Sequence, residues 1–369
     1  MKHQIVHRDE FAYCAHPHIV VARNGDWLVV FNRAPRRPYV LHPPEQPLYQ
    51  NVLIRSSDSG LNWSAPQVIP NYDFWGTECA GLTVLRNGRV LLNQWRFDWY
   101  PLSLARKLSD QTGLTYPDVF MRGWMESPEH ETSAYRAVPP HEIAPWVRGG
   151  GRTYVHISDD HGQSFQSSLE IATAPFSGGY GMRGAVELTD GTILLPLSDI
   201  PHYRQIFTVS SGDGGRSWSE PALAAKVSRR EFEEPTIIQT ASGRLLMILR
   251  DNATRRLHQI VSYDSGASWN APVMLDIEGY PAHLLALDDG RLLLTYGWRT
   301  PEFGVRAVLS PDEGGTWHTT APIHIRDGLP SKNLGYPATI KAADGLLFTV
   351  YYGEDDEGVT CIMATRWLL

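Results

Sequence analysis

Cysteine is scarce. Cys14, Cys79 and Cys361 are three in 369 residues, odd in number and far apart. Such a set excludes a disulfide framework and reads as reduced thiols, as expected of a cytoplasmic protein. Long apolar runs are missing as well. No stretch of about 18 apolar residues occurs, so no membrane-spanning helix is expected. The start, Met1-Lys2-His3-Gln4-Ile5-Val6, lacks the apolar centre of a secretion signal, which fits the same location. There is no surplus of basic charge either. Lys and Arg number 33 against 40 Asp and Glu, a net charge of −7, which argues against nucleic acid as a partner.

What is abundant makes turns and fills space: 32 Gly, 26 Pro, 12 Trp, 16 Tyr and 11 Phe. The stretch Ser262-Tyr263-Asp264-Ser265-Gly266-Ala267-Ser268-Trp269 explains why, because the chain repeats it. Ser56 to Trp63, Ser211 to Trp218 and Ser310 to Trp317 have the same form, with Asn62 replacing the hydroxyl residue in the first. Ser158 to Phe165 is a fifth copy, with Phe for Trp. In each, the Asp carboxylate is expected to accept hydrogen bonds from N–H groups a few residues on. The Gly supplies a φ that other residues resist, and the ring closes over the turn.

The Asp positions are 58, 160, 213, 264 and 312, with steps of 102, 53, 51 and 48, so the first step holds two units. A second series completes the count. Asn24-Gly25, Asn87-Gly88, Asp190-Gly191, Ser242-Gly243, Asp289-Gly290 and Asp344-Gly345 are two-residue turns between apolar runs, the signal of tight hairpins. Together they define six units: 16–70, 79–173, 182–225, 234–276, 280–325 and 336–369. Four strands in about 40 to 50 residues make a propeller blade. The predicted fold is therefore all-β, a single six-bladed propeller of four-stranded antiparallel blades spanning 1–369. The sixth unit stops after Thr360 to Trp367. Gln4 to His7 precedes the first blade and is predicted to pair with the sixth, closing the ring. Residues 98–150 form an insertion in blade two, either a lid over a site or an interface for a second subunit.

Asp boxes in a six-bladed propeller resemble the sialidase (neuraminidase) superfamily, also called BNR-repeat proteins. The resemblance covers nearly the whole chain. It implies the fold firmly and the activity less so, because related propellers carry other glycosidases, lyases and binding modules.

Strand direction alternates within a blade, so the tight turns and Asp boxes share one face. The starts of first strands and the ends of second strands share the other, where binding chemistry is expected. Counting back nine from each turn glycine gives the first-strand starts His16, Cys79, Met182, Glu234 and Tyr336, with Tyr280 as the fifth-blade match. The second-strand ends are Arg33, Arg96, Asp199, Arg250, Trp298 with Arg299, and Tyr352. Third-strand starts add Arg204, His258 and Arg306. Guanidinium forks bind carboxylates, so this group of arginines implies an anionic sugar.

In sialidases a Tyr of the last blade is the nucleophile and a Glu two blades earlier takes its proton. The resemblance carries these roles to Tyr336 and Glu234, with Glu233 as a substitute. A neutral phenol suits a sugar whose anomeric carbon bears a carboxylate, since a carboxylate nucleophile would be repelled. Arg250 and Arg306 match two of the three arginines that hold the substrate carboxylate. The first blade departs from the pattern. Where the family has Phe/Tyr-Arg-Ile-Pro, this chain has Tyr13-Cys14-Ala15-His16-Pro17-His18, with Ala15 at the arginine position. Arg33 is the candidate replacement. The loop Pro38 to Gln50 lacks the family's acidic Asp but holds His42 and Glu45, and Glu45 could serve as a general acid if burial raises its pKa. His16 and His18 alternate on one strand face, as structural residues or as acid/base and hydroxyl-binding groups. With His283 they are also the set a metal would need, although no cofactor or metal is expected. Three functions stay open: an exo-glycosidase for a terminal acidic sugar, a uronate lyase, and a glycan-binding propeller without catalysis. The oligomeric state is left open.

Overall fold

The computed structural model describes residues 1–36, 48–69, 75–108, 146–200 and 203–369. They form six four-stranded antiparallel sheets in a ring. Blade four is representative: Phe232–Gln239, Leu245–Asp251, Arg256–Ser262 and Val273–Glu278, each strand paired with the next. Each inner strand enters from the rim face and leaves through a tight turn whose glycine has positive φ, as Gly243 does at 88°. In blade six, Gly335–Lys341, Leu347–Glu354 and Thr360–Trp367 supply three strands. The fourth is the N-terminal strand Lys2–His7, with Lys2 opposite Arg366 and Gln4 opposite Ala364. The ring is thus closed by pairing the two chain ends, as expected from the incomplete sixth unit.

The Asp boxes fold as expected, with one partner the sequence reading did not name. In the fourth copy the Ser268 N–H and hydroxyl donate to Asp264, at 2.9 and 2.5 Å. The Ser262 hydroxyl donates to the same carboxylate at 2.8 Å and accepts the Gly266 N–H at 2.9 Å. The opening serine therefore clamps both ends of the turn. Bonds from Ser268 hold the Asp264 carboxyl down to about 2.

Each blade interface has its own core. Leu28, Val30, Leu82 and Leu92 fill the first, and Leu91, Val155, Leu195 and Phe207 the second. Ile206, Phe232 and Leu249 fill the third, and Leu246, Ile248, Leu284 and Leu294 the fourth. A ring of small interfaces replaces one large core, which is how a long chain stays well packed. The insertion is shorter than the 98–150 read from sequence. The second and third strands of blade two run as Val90–Pro101 and Trp146–Ser158, pairing out to Pro101 and Trp146. A short helix, Leu102–Leu108, follows. The rest of the insertion, and with it the lid or interface reading, lies outside the described residues.

Candidate functional site

Four inner strands slip in register, blade two between Glu78 and Gly81, and three of the slips share one form. The pairing register slips between Ala15 and His18, between Glu233 and Thr236, and between Gly335 and Ala338. Inside each bulge one residue takes a left-handed backbone: His16 at φ 56°, Glu234 at 52° and Tyr336 at 53°. Each is followed by proline, which disfavours the right-handed region for the residue before it. Non-glycine residues resist left-handed φ, and bulges that re-aim a side chain concentrate at functional sites. Here they turn three side chains into the central funnel. The Tyr336 hydroxyl donates to Glu234 Oε1. The rings of His16 and Tyr336 have centroids 4.1 Å apart, and Tyr352 lies 5.5 Å from His16.

Around Glu234 the bonding is dense. Arg250 Nη1 donates to its Oε2 at 2.7 Å and the Tyr180 hydroxyl to its Oε1 at 3.3 Å, while its N–H bonds Ser198 Oγ at 3.0 Å. Arg250 also pairs with Glu233 at 3.1 Å, and Asn252 bonds both Arg250 and Glu233. Arg250 lies 4.1 Å over the Tyr280 ring, with Arg299 5.6 Å from that ring. Arg299 donates to the Leu334 carbonyl and the Tyr352 hydroxyl, and has no carboxylate partner among the described residues. Below, Arg183 is buried on the axis, bonded to the carbonyls of Ala282, Pro17 and Pro337. Three guanidinium groups thus surround two carboxylates, and the surplus favours an anion in the funnel.

Burial, helped by the nearby Glu234 charge, drives the Tyr336 hydroxyl well above its usual range. The phenol therefore keeps its proton until a base takes it. Burial pushes Glu233 up to about 7, against the pull of Arg250. Folding raises the proton affinity of Glu233, so its contribution is fully present below the usual Glu pKa and is lost as pH rises through about 7. Glu233→Gln is expected to remove this dependence. Relative to the parent it should gain stability at pH 8 compared with pH 5, by on the order of 1–3 kcal/mol. Urea unfolding at the two pH values reads this directly; an equal difference at both would mean Glu233 ionises normally.

Not every residue expected at the site is brought there. Arg250 lies seven residues past its turn glycine, while Arg33 and Arg96 lie eight past theirs. Side chains alternate along a strand, so one residue changes the face. The blade-one counterpart of Arg250 is Asn32, which bonds His16 at 2.8 Å, whereas Arg33 points away to Asp9 at 2.6 Å. Arg306 is turned outward in blade five, bonded to Asp327 and the Arg326 carbonyl. His18 is separated from His16 by the bulge. It accepts the Leu82 N–H at 2.9 Å and, with His283 and Arg183, lines an axial cavity of about 490 Å³ opening toward the turn face. Among the described residues no three His, Cys, Asp or Glu side chains are arranged to hold a metal ion. Glu45 and His42 lie outside the described residues.

Several site residues were not singled out from sequence: Tyr180, Asn32, Tyr49, Glu78, Arg148, Asn252 and Arg183. Asn32 and Ser198 were within reach, since both lie seven past a turn glycine. Arg148, whose Nη1 bonds the buried Glu78 Oε2, fell inside the presumed insertion and gave no signal.

The fold is a ring of Asp-box blades with a Tyr–Glu–Arg cluster on its axis. The chain belongs to the BNR repeat-like domain family, whose profile matches residues 140–349. Solved structures agree on the fold. A protein of unknown function from Dyadobacter fermentans is similar at 22% identity and TM-score 0.81, over 99% of this chain and 97% of that one. The intramolecular trans-sialidase from Ruminococcus gnavus, in complex with oseltamivir carboxylate, is similar at 12% identity and TM-score 0.70, over 99% and 96%. The NanB sialidase from Streptococcus pneumoniae is similar at 12% identity and TM-score 0.68, over 99% and 70%. No curated protein matches the chain. Among the described residues no helix is long and apolar enough to cross a membrane.

Proposed function

We propose that the chain is an exo-acting glycoside hydrolase for a terminal acidic sugar. The observation that carries this reading is the Tyr336–Glu234–Arg250 contact, in which a buried phenol donates to a carboxylate held by a guanidinium. In the first step Glu234 takes the phenolic proton as Tyr336 Oη bonds to the anomeric carbon. The glycosidic C–O bond breaks and the leaving oxygen receives a proton from an acid. His16 and Glu45 are the candidates for that acid. Water then attacks the anomeric carbon and gives a proton to the acid that was spent in the first step, the bond from that carbon to Tyr336 Oη breaks, Glu234 returns its proton to the phenolate, and the free sugar leaves. Arg250 holds the second oxygen of Glu234 in place. Arg299, which has no carboxylate partner among the described residues and lies beside Tyr336 and Tyr352, would meet the substrate carboxylate. Arg250 and Arg299 supply two guanidinium groups where the sialidase pattern has three, so the acidic sugar is either a sialic acid or a uronic acid.

A uronate lyase is the second reading, favoured by the ring contact of His16 with Tyr336, which pairs a base with a phenol. Incubation with aryl sialosides and aryl uronides separates the readings. Release of saturated sugar with the phenol is the expected result. Appearance of the ultraviolet absorbance of an unsaturated uronate would make the protein a lyase. Binding of acidic glycans without turnover of any of them would make it a binding propeller.

A further inference from the structure

Asn32 does more than replace an arginine. It is one link in a buried chain of side-chain amides that runs from blade two to His16. Arg96 Nε donates to Gln94 Oε1 at 3.1 Å. Gln94 Nε2 donates to Asn51 Oδ1 at 3.0 Å. Asn51 Nδ2 donates to Asn32 Oδ1, and Asn32 Nδ2 meets His16 Nδ1 at 2.8 Å. Arg96, Gln94, Asn51, Asn32 and His16 are all buried.

The direction of this chain is not arbitrary. A guanidinium has only donors, so Arg96 forces an oxygen of Gln94 toward itself. His156 Nε2 approaches the same oxygen at 2.9 Å. Each amide must then present nitrogen to the next oxygen, because two facing oxygens or two facing nitrogens in a buried pair would go unsatisfied. The orientation is passed along until Asn32 offers N–H to His16. A second arm reaches Asn32 from elsewhere. Arg148 bonds Glu78, Glu78 accepts the Tyr49 hydroxyl at 3.3 Å, and the Tyr49 oxygen accepts from Asn32 Nδ2 at 2.7 Å. Both arms end on a guanidinium, and both require the same orientation of Asn32.

We infer that Arg96, Gln94, Asn51 and Asn32 are positioning residues that fix the tautomer of His16, with Nδ1 as acceptor and the proton on Nε2. Any group that reaches His16 Nε2 therefore meets an N–H donor and must present an acceptor, such as a carboxylate, hydroxyl or glycosidic oxygen. This selects for oxygen-rich ligands at that edge of the funnel. The inference rests on side-chain chemistry at His16 and not on the hydrolase reading, although it sharpens it. In a glycosidase it makes His16 a hydrogen-bond donor to a sugar oxygen and not the acid itself, since a neutral ring that gave up its only N–H would become an imidazolate, and it disfavours the Nε2 base that a lyase would need.

Long-range proton–nitrogen NMR of the ¹⁵N-labelled protein tests this without any substrate, with the His16 signals assigned by their loss in His16→Gln. The expected pattern is an unprotonated Nδ1 and a protonated Nε2. Gln94→Glu, combined with Tyr49→Phe to remove the second arm, supplies two acceptor oxygens at the start of the chain, so Asn51 and Asn32 should rotate and His16 should move its proton to Nδ1. Asn32→Asp should give the same swap by direct contact, and it serves if the Gln94 variant fails to fold. A wild-type His16 protonated on Nδ1, or a folded Asn32→Asp protein with the wild-type pattern, would overturn the inference. Because activity is not read, such a failure would leave the hydrolase proposal standing on Tyr336 and Glu234.

Discussion

Tyr336→Phe is expected to lower turnover of an acidic glycoside by about 10³- to 10⁴-fold while leaving ligand affinity within a few-fold, as happens when an interaction used only in the reaction is removed. The change deletes one oxygen. The ring that packs against His16 and Tyr352 is kept, so the funnel should hold its shape. Glu234 loses a donor but keeps Arg250 and Tyr180, so it remains a satisfied buried carboxylate. A small effect on folding and a large effect on kcat are therefore expected together. Steady-state kinetics and equilibrium binding on the same protein check both parts. Unchanged kcat would reduce Tyr336 to a packing residue. A matching loss of affinity would instead assign the hydroxyl to ligand binding.

Much of this arrangement was legible because it repeats. The Asp boxes and turn glycines are local devices, so their spacing alone gave the blades, their number and the closing strand. Counting nine back from the glycine reached His16, Glu234 and Tyr336, and the X-Pro step shared by all three marks the bulge that turns them inward. The same method failed at the second-strand ends. Arg250 and Arg33 look alike in sequence, yet they differ by one position, and a strand converts that difference into opposite faces. Composition drew attention to arginine, whereas the site uses an asparagine at the equivalent place. Arg306 failed for another reason. Its position in the blade fits the family pattern, but Asp327 and the Arg326 carbonyl hold it outward, and neither partner is close to it in sequence. Glu78 and Arg148 meet only through pairing of strands separated by the insertion, at a distance no local rule covers.

Arg250→Met should be the most destabilising single change in the funnel. It removes the cation that lies between Glu233 and Glu234, both buried, and leaves two carboxylates facing each other without compensation. Breaking a buried pair from one side costs about 3–5 kcal/mol, because the remaining charge keeps its desolvation penalty and loses its partner. The sign of the pH dependence follows. Burial already raises the Glu233 pKa against the pull of Arg250, and removing that pull raises it further. The stability Glu233 contributes is then present at low pH and lost as pH rises, so the deficit should be largest near pH 8 and shrink toward pH 5. Denaturant unfolding of parent and variant across that range measures it. Adding Glu234→Gln to Arg250→Met should recover part of the loss, since it neutralises one stranded charge, and the recovery is the coupling between the two residues. A deficit independent of pH, with no recovery in the double variant, would mean that Arg250 stabilises the blade through its contact with the Tyr280 ring. The guanidinium would then act on Glu234 by position alone.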